Sequence, residues 1–271
     1  MKVHAFRHYV PENALPIARS VYRIYERIVC WYTGWWDRRY VERTNFAHLP
    51  PASLRYRVHG SPHIDGFLKV GKRSSEDIQA ALKRVGKDLS SFQNILDFGC
   101  GCGRTLLWFA DHSQASDLYG TDIDAEAISW CRNNLEFAKF DTNGPLPPLE
   151  YSSGKFDLIY SISVFTHLNE AYQFRWLNEL RRITSPGGIV VLTLHGRPVW
   201  KDLPQEDVVE IRRRGFRFIA ANHMKGVFPE WYQNAYHTKR YVLEQYANYF
   251  DVVDYIPRGS GRQDVVILQR P

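Results

Sequence analysis

Apolar residues change their period several times along the chain. Ile17, Val21, Ile24, Ile28, Trp31 and Trp35 recur at helical spacing and make one stripe. Arg19, Arg23 and Arg27 follow each other at i, i+4 and i+8 on another face, so a basic amphipathic helix is predicted. Residues 46–75 are punctuated by Pro50, Pro51, Gly60, Pro62, Gly66 and Gly71 and read as irregular. From Ser75 a helical pattern leads into alternation. Ile95–Phe98 is a short apolar run closed by glycines, hence a buried strand. A helix over Arg104–His112, a strand over Leu118–Asp122 and a helix over Ala125–Leu135 follow, the last capped by the Asp124 carboxylate. Strands are predicted over Phe137–Asn143, Phe156–Ser161 and Ile189–Leu194. A helix over Asn169–Ile183 and a turn at Pro186-Gly187-Gly188 separate the last two. After a loop-rich insert, Thr238 caps a helix over Lys239–Tyr249, and Phe250–Tyr255 and Asp264–Gln269 close the chain. Strands alternating with helices predict an α/β fold, a mostly parallel sheet with helices on both faces. The chain thus divides into an N-terminal helical and irregular appendage, 1–74, and a main domain, 75–271, with an insert over 197–238.

Composition narrows this picture only slightly. With 271 residues, 44% of them hydrophobic, the chain builds a core without staples. The four cysteines, Cys30, Cys100, Cys102 and Cys131, are too few for a disulfide framework. Cys100 and Cys102 lack a second pair to complete a zinc site, and no metal is expected. A formal charge of +6 is compatible with an anionic substrate, an acidic membrane surface or nucleic acid, and selects none of them. The first residues show no apolar secretory segment, and no run is long enough to span a membrane. A cytoplasmic protein is expected.

The candidate chemistry begins at Asp97-Phe98-Gly99-Cys100-Gly101-Cys102-Gly103-Arg104. A strand ends here, glycines alternate with small residues, and a helix begins, at the carboxyl end of the strand where open α/β sheets bind ligands. A dinucleotide loop would carry a third glycine where Arg104 stands. Asp97 suits a cationic group, the amino end of a methionine moiety, and would repel a pyrophosphate. Asp122, at the end of the next strand, is placed to accept two ribose hydroxyls, and Ile123 to pack on an adenine face. Asp124 is the alternative ribose acid, although it suits a helix cap. After the third strand, Asn143 or Asp141 offers an acceptor to the adenine amine, with Asn143 nearer the strand end.

The loop Asp97–Gly103, the acid Asp122, the run Phe156–Leu168 and Ser185-Pro186-Gly187-Gly188 together resemble the class I S-adenosylmethionine-dependent methyltransferases. More narrowly, the chain is similar to a bacterial group with Val164-Phe165-Thr166-His167-Leu168 after the fourth strand. Leu49-Pro50-Pro51, Phe140 with Asn143, and Tyr255–Gly259 fit the same group. The resemblance implies a Rossmann-like seven-stranded sheet of order 3-2-1-4-5-7-6, strand seven antiparallel, and Arg258–Gly261 as the connection of the closing hairpin. It implies S-adenosylmethionine as cofactor, held by Asp97, Gly99, Cys100, Gly101, Gly103, Asp122, Ile123, Asn143 and Ser161. Asn143 stands where that family more often has an aspartate.

Methyl transfer to an alcohol needs a base, and His167, His195 and His237 are the candidates. The insert's Trp200, Phe228, Trp231, Tyr232 and Tyr236 either roof an acceptor pocket or pack a small subdomain. Arg212-Arg213-Arg214 reads as a solvated face. Arg55 or Arg57 would meet the donor's carboxylate if either left the surface. The N-terminal stripe, 17–39, is expected to pack on the main domain as a lid, the alternative being an anionic membrane. The expected acceptor is a small molecule or a glycan, attacked at oxygen. Nucleic-acid methylation is disfavoured, because Ser161-Ile162-Ser163-Val164 replaces the Asp/Asn-Pro-Pro-aromatic motif of base-amino methyltransferases. A protein that binds the cofactor without catalysis is the remaining alternative.

Overall fold

The computed structural model describes residues 15–44, 48–219 and 233–271. Helix α1 (Leu15–Thr44) is followed by α2 (Ala52–His59) and α3 (Ile64–Arg84). Most of 48–75 is therefore helical, where an irregular stretch was expected. Pro51 starts α2, and Gly60, in the left-handed region at φ 72°, ends it by donating to the Tyr56 carbonyl. Gly71 does not break α3. A Cβ there would meet the Arg104 carbonyl oxygen at 2.3 Å, so this glycine lets the helix backbone come close to the loop beyond β1.

Seven strands form the main sheet: β1 (Asn94–Phe98), β2 (Asp117–Asp122), β3 (Lys139–Thr142), β4 (Phe156–Ser161), β5 (Thr184–Leu194), β8 (Asp251–Ser260) and β9 (Gln263–Gln269). Their order is β3-β2-β1-β4-β5-β9-β8. The first five run parallel, and β9 lies antiparallel to both β5 and β8. The numbering differs from expectation because β6 (Phe216–Ile219) and β7 (Asn234–His237) form a separate antiparallel pair in the insert. The closing hairpin turns at Gly261–Arg262, later than expected. Residues Arg258–Ser260 belong to β8, with a register irregularity between Ile256 and Ser260.

Helices cover both faces. On one, α5 (Glu170–Ile183) and α7 (Lys239–Gln245) contribute Trp176, Leu177, Leu180, Tyr241 and Val242 to a core with Phe98, Ile159 and Leu192. On the other, α3, a 3₁₀ helix over Leu106–Gln114 and α4 (Ala125–Asn134) bury Ile78, Leu82, Phe109, Ile128 and Cys131 against Ile95, Leu158 and Val191. The expected helix 104–112 is this 3₁₀ segment. Asp124 caps α4, accepting from the Glu126 and Ala127 amides. The insert, expected to be loop-rich, holds α6 (Gln205–Arg214). Trp200 and Tyr236 pack there with Val208 and Ile211. Phe228, Trp231 and Tyr232 lie outside the described residues.

The stripe of α1 does not pack on the main domain, contrary to expectation. Its side chains face outward, Trp31 being 75% exposed. Among the described residues no helix is long and apolar enough to cross a membrane.

Candidate cofactor and active site

The carboxyl ends of β1, β2 and β4 bring the predicted site residues together. The loop after β1 turns through Gly99 (φ 84°), Gly101 (φ 55°) and Gly103 (φ 77°), a backbone that side-chain-bearing residues rarely adopt. The Gly99 and Cys100 amides donate to the Thr121 carbonyl at 2.8 and 3.0 Å, which ties the loop to β2. Asp122 adds a second tie. Its Oδ2 accepts from the Gly101 amide at 2.7 Å and its Oδ1 from the Asp124 amide at 2.8 Å. Burial nonetheless raises its carboxyl pKa above the ordinary value, with these amides opposing. Ile123, next in the chain, is 53% exposed at the rim.

Asp97 is 2% exposed, and its Oδ2 has no hydrogen-bond partner among the described residues. Burial pushes its carboxyl up to about 8, with the Tyr160 hydroxyl and Arg104 pulling the other way and Asp122 pushing with it. A buried carboxyl group with an unpartnered oxygen would be ionised, and its burial offset, by a cationic partner. Cys100 is buried, and burial pushes its thiol well above the ordinary value, so the side chain is an inert wall of the loop. The Asn143 Oδ1 accepts from the Thr121 hydroxyl at 2.9 Å, and its Nδ2 donates to the Gly144 carbonyl. Asp141 accepts instead from the Tyr151 hydroxyl at 2.9 Å. The Ser161 hydroxyl donates to the Phe98 carbonyl at 2.7 Å, bridging β4 to β1.

Helix α2, rather than α1, covers this loop. A Cβ on Gly101 would meet Val58 Cγ2 at 2.6 Å. Arg57 pairs with Asp124 at 3.2 Å and Glu126 at 2.8 Å, and Arg104 donates to the Val58 carbonyl at 3.2 Å. Arg55, expected at the surface, is wholly buried. It donates to the Pro62 and Pro50 carbonyls at 2.7 and 2.5 Å and to the Asp37 carboxylate at 2.5 Å. It is a structural clamp between α1, α2 and the loops beside them.

The three histidines are placed unequally. His167 and His195 lie beyond β4 and β5 with ring centroids 6.4 Å apart. His167 Nδ1 is bonded to the Gln233 carbonyl at 2.6 Å, and burial lowers its pKa. His195 stacks on Tyr236, and its Nδ1 is buried without a partner among the described residues. Burial, then His167 and Arg262, push its imidazole down to about 4. His237 is sealed in the core. It faces the Gln173 Oε1 at 3.0 Å, and the Tyr246 hydroxyl donates to the same oxygen. Burial pushes His237 down to about 3. One residue at the rim, Ser163, is not among the residues expected at the site. Ser163 holds φ 64°, its amide donating to the Thr193 hydroxyl at 2.7 Å and its own hydroxyl meeting the Gln263 side chain. A strained non-glycine residue beside a ligand cleft is a common device of functional sites; no sequence signal marks it. Among the described residues, no cluster of His, Cys, Asp and Glu is arranged to hold a metal ion.

Residues 95–188 match the family model described as a methyltransferase domain. The chain is 33% identical over 125 residues to the malonyl-(acyl-carrier protein) O-methyltransferase of Erwinia billingiae, covering 42% of this chain and 46% of that protein. It is 26% identical over 131 residues to methyltransferase GfsG of Streptomyces halstedii, covering 46% and 44%. The structure of magnesium protoporphyrin IX methyltransferase (ChlM) from Synechocystis PCC 6803 with bound SAH is similar with a TM-score of 0.53 and 15% identity, covering 80% of this chain and 93% of that one. The chain spans less than half the length of the curated relatives it matches. Residues 95–188 thus fit a methyltransferase domain, and they lie within a Rossmann-like α/β sheet.

Proposed function

We propose that this protein transfers a methyl group from S-adenosylmethionine to an oxygen of a small-molecule or glycan acceptor. The observation that carries the donor is Asp97. Its carboxylate lies at the end of β1, buried, with one oxygen unpartnered beside a glycine loop. The donor's ammonium supplies the missing hydrogen bonds and the opposite charge. Ile123 offers an exposed apolar face for adenine, and the Asp122 oxygens keep lone pairs for the ribose hydroxyls. Asn143 is the residue assigned to the adenine amine, its side chain held by the Thr121 hydroxyl. When bound, S-adenosylmethionine supplies a methyl group on a sulfonium whose departing thioether is neutral. The chain's own task is placement of the acceptor in line with that methyl, an effect worth about 7–11 kcal/mol in well-oriented systems.

The histidines support oxygen as the acceptor atom. With its pKa pushed down, His195 is a neutral imidazole at pH 7, and its bare Nδ1 can take a hydrogen bond from an acceptor hydroxyl. The O-methyltransferase of Erwinia billingiae supports the same atom.

Two measurements test the reading. Calorimetry with S-adenosylmethionine and with NAD is expected to show binding of the first alone, strongly weakened in Asp97→Asn. Release of S-adenosylhomocysteine across a panel of hydroxylated small molecules and glycans reports turnover. NAD binding in preference to the sulfonium would refute the donor, and methyl transfer only to amines would refute the oxygen acceptor.

A further inference from the structure

Helix α1 is anchored by one face. Thr33 is buried, and Asp37 makes the ion pair with Arg55. Asp37 lies nine residues after Ile28, roughly two and a half turns, so the two point to opposite sides of the helix. The anchor therefore turns the stripe away from the main domain. Ile17, Ile24, Ile28, Trp31, Tyr32 and Trp35 are all exposed.

Three features of the helix say what covers this face. First, its wide end is aromatic: Trp31, Tyr32, Trp35 and Trp36 fall within six residues, all exposed. Indole and phenol pair an apolar body with a polar edge, which suits the boundary between headgroups and acyl chains better than a dry helix–helix seam. Second, the charge is one-sided. Between Ile17 and Trp36 the only acidic residue is Glu26, nine residues after Ile17 and so on the reverse side. Arg23 and Arg27 are exposed along one edge of the stripe. Third, the Arg39 guanidinium lies over the Trp35 and Trp36 rings at 4.5 and 5.1 Å, so a cation sits at the aromatic end as well. An amphipathic helix with aromatic and aliphatic residues on one face and arginines beside them binds in the plane of an anionic bilayer.

We propose that α1 docks this protein on an anionic membrane surface, with the Ile17–Trp36 stripe inserted at headgroup depth and Arg23 and Arg27 on lipid phosphates. The proposal does not depend on the methyl-transfer reading. It is tested with the full chain and phosphatidylcholine vesicles prepared with and without phosphatidylglycerol. Co-sedimentation and a blue shift of tryptophan emission are expected with the anionic vesicles. Arg23→Gln/Arg27→Gln is expected to weaken partitioning about thirtyfold, from about one kcal/mol for each basic residue near an anionic surface. Ile24→Glu/Ile28→Glu is expected to abolish it with an unchanged thermal melt, because both side chains face solvent. Equal partitioning onto neutral and anionic vesicles would overturn the proposal, as would absence of binding to either. A concentration-dependent dimer lost in Ile24→Glu/Ile28→Glu, without vesicle binding, would assign the face to a second copy of the chain.

Discussion

The Asp122 carboxylate accepts the Gly101 amide at 2.7 Å, so the acid that ends β2 holds in place the loop that follows β1. One side chain thereby shapes the donor site and is proposed to contact the donor. Asp122→Ala leaves the Gly101 and Asp124 amides without acceptors, a loss of about 1–3 kcal/mol per buried group, read as a lowered urea midpoint. Asp122→Asn keeps one acceptor and is expected to be less damaging to stability. Both are expected to weaken donor binding by about tenfold or more, since hydrogen bonds to a charged acceptor are worth about 1.5–3 kcal/mol.

Asp97 gives a pH signature. Burial raises its folded pKa to about 8 from the ordinary carboxyl value of 3.8. Between these values the folded chain keeps a proton that the unfolded chain has released, so stability falls as pH rises through that window and levels off above it. Asp97→Asn is expected to remove this slope and to stabilise the ligand-free protein at neutral and alkaline pH. A cationic donor selects the ionised carboxylate. Its binding should therefore release a proton near pH 7 and tighten as pH rises towards 8. Calorimetry in buffers of differing ionisation enthalpy measures the proton count, and a count of zero would refute the role.

His237 acts in the opposite direction. Its folded pKa is lowered to about 3 from 6.5, so below 6.5 the unfolded chain takes up a proton that the folded chain refuses. Stability is lost as pH falls through 6.5 towards 3. His195, lowered to about 4, adds a slope of the same sign. His237→Gln is expected to flatten the acid limb in part, measured by thermal melts between pH 4 and 7, without the kinetic effect described next.

For the acceptor, His195→Asn is expected to lower kcat by about 10²–10⁴-fold, the usual worth of positioned acid–base groups, with donor affinity unchanged. A variant with the same kcat would move the role to another group.

Arg55 is buried with three oxygen partners, one of them the Asp37 carboxylate. Arg55→Met strands that carboxylate and two carbonyls. Removing one partner of a buried pair costs about 3–5 kcal/mol, and discounting for partly exposed Asp37 leaves about 2–3 kcal/mol. Urea unfolding measures the loss, and limited proteolysis should show earlier cleavage between α1 and α2.

Much of the sheet is legible because β1, β4, β9 and the second half of β5 are apolar runs, and the glycine loop marks where β1 ends, whereas β3 buries only Phe140. What escaped shares one cause, namely contacts between residues distant in sequence. Pro51 and Gly60 read as breakers although they bound a helix, and Gly71 read as a break although close approach to Arg104 requires it. Strand β6 shows Phe216 and Phe218 in alternation, but its partner β7 lies beyond the residues outside the described set. At the site, acid and loop were evident separately. That Asp122 bonds Gly101, that Thr121 occupies the Asn143 oxygen and that Ser161 bonds the Phe98 carbonyl depend on neighbouring strands. Likewise the periodicity of α1 revealed a stripe, but only the pairing of Asp37 with Arg55 determines which way it points.

Arg55 also joins two parts of the molecule that the sequence keeps apart. Its guanidinium fastens α1, while Val58, less than one turn further along the same short helix, rests on Gly101. The N-terminal helix and the glycine loop thus meet on one short helix, α2, which holds the first through Arg55 and rests on the second through Val58.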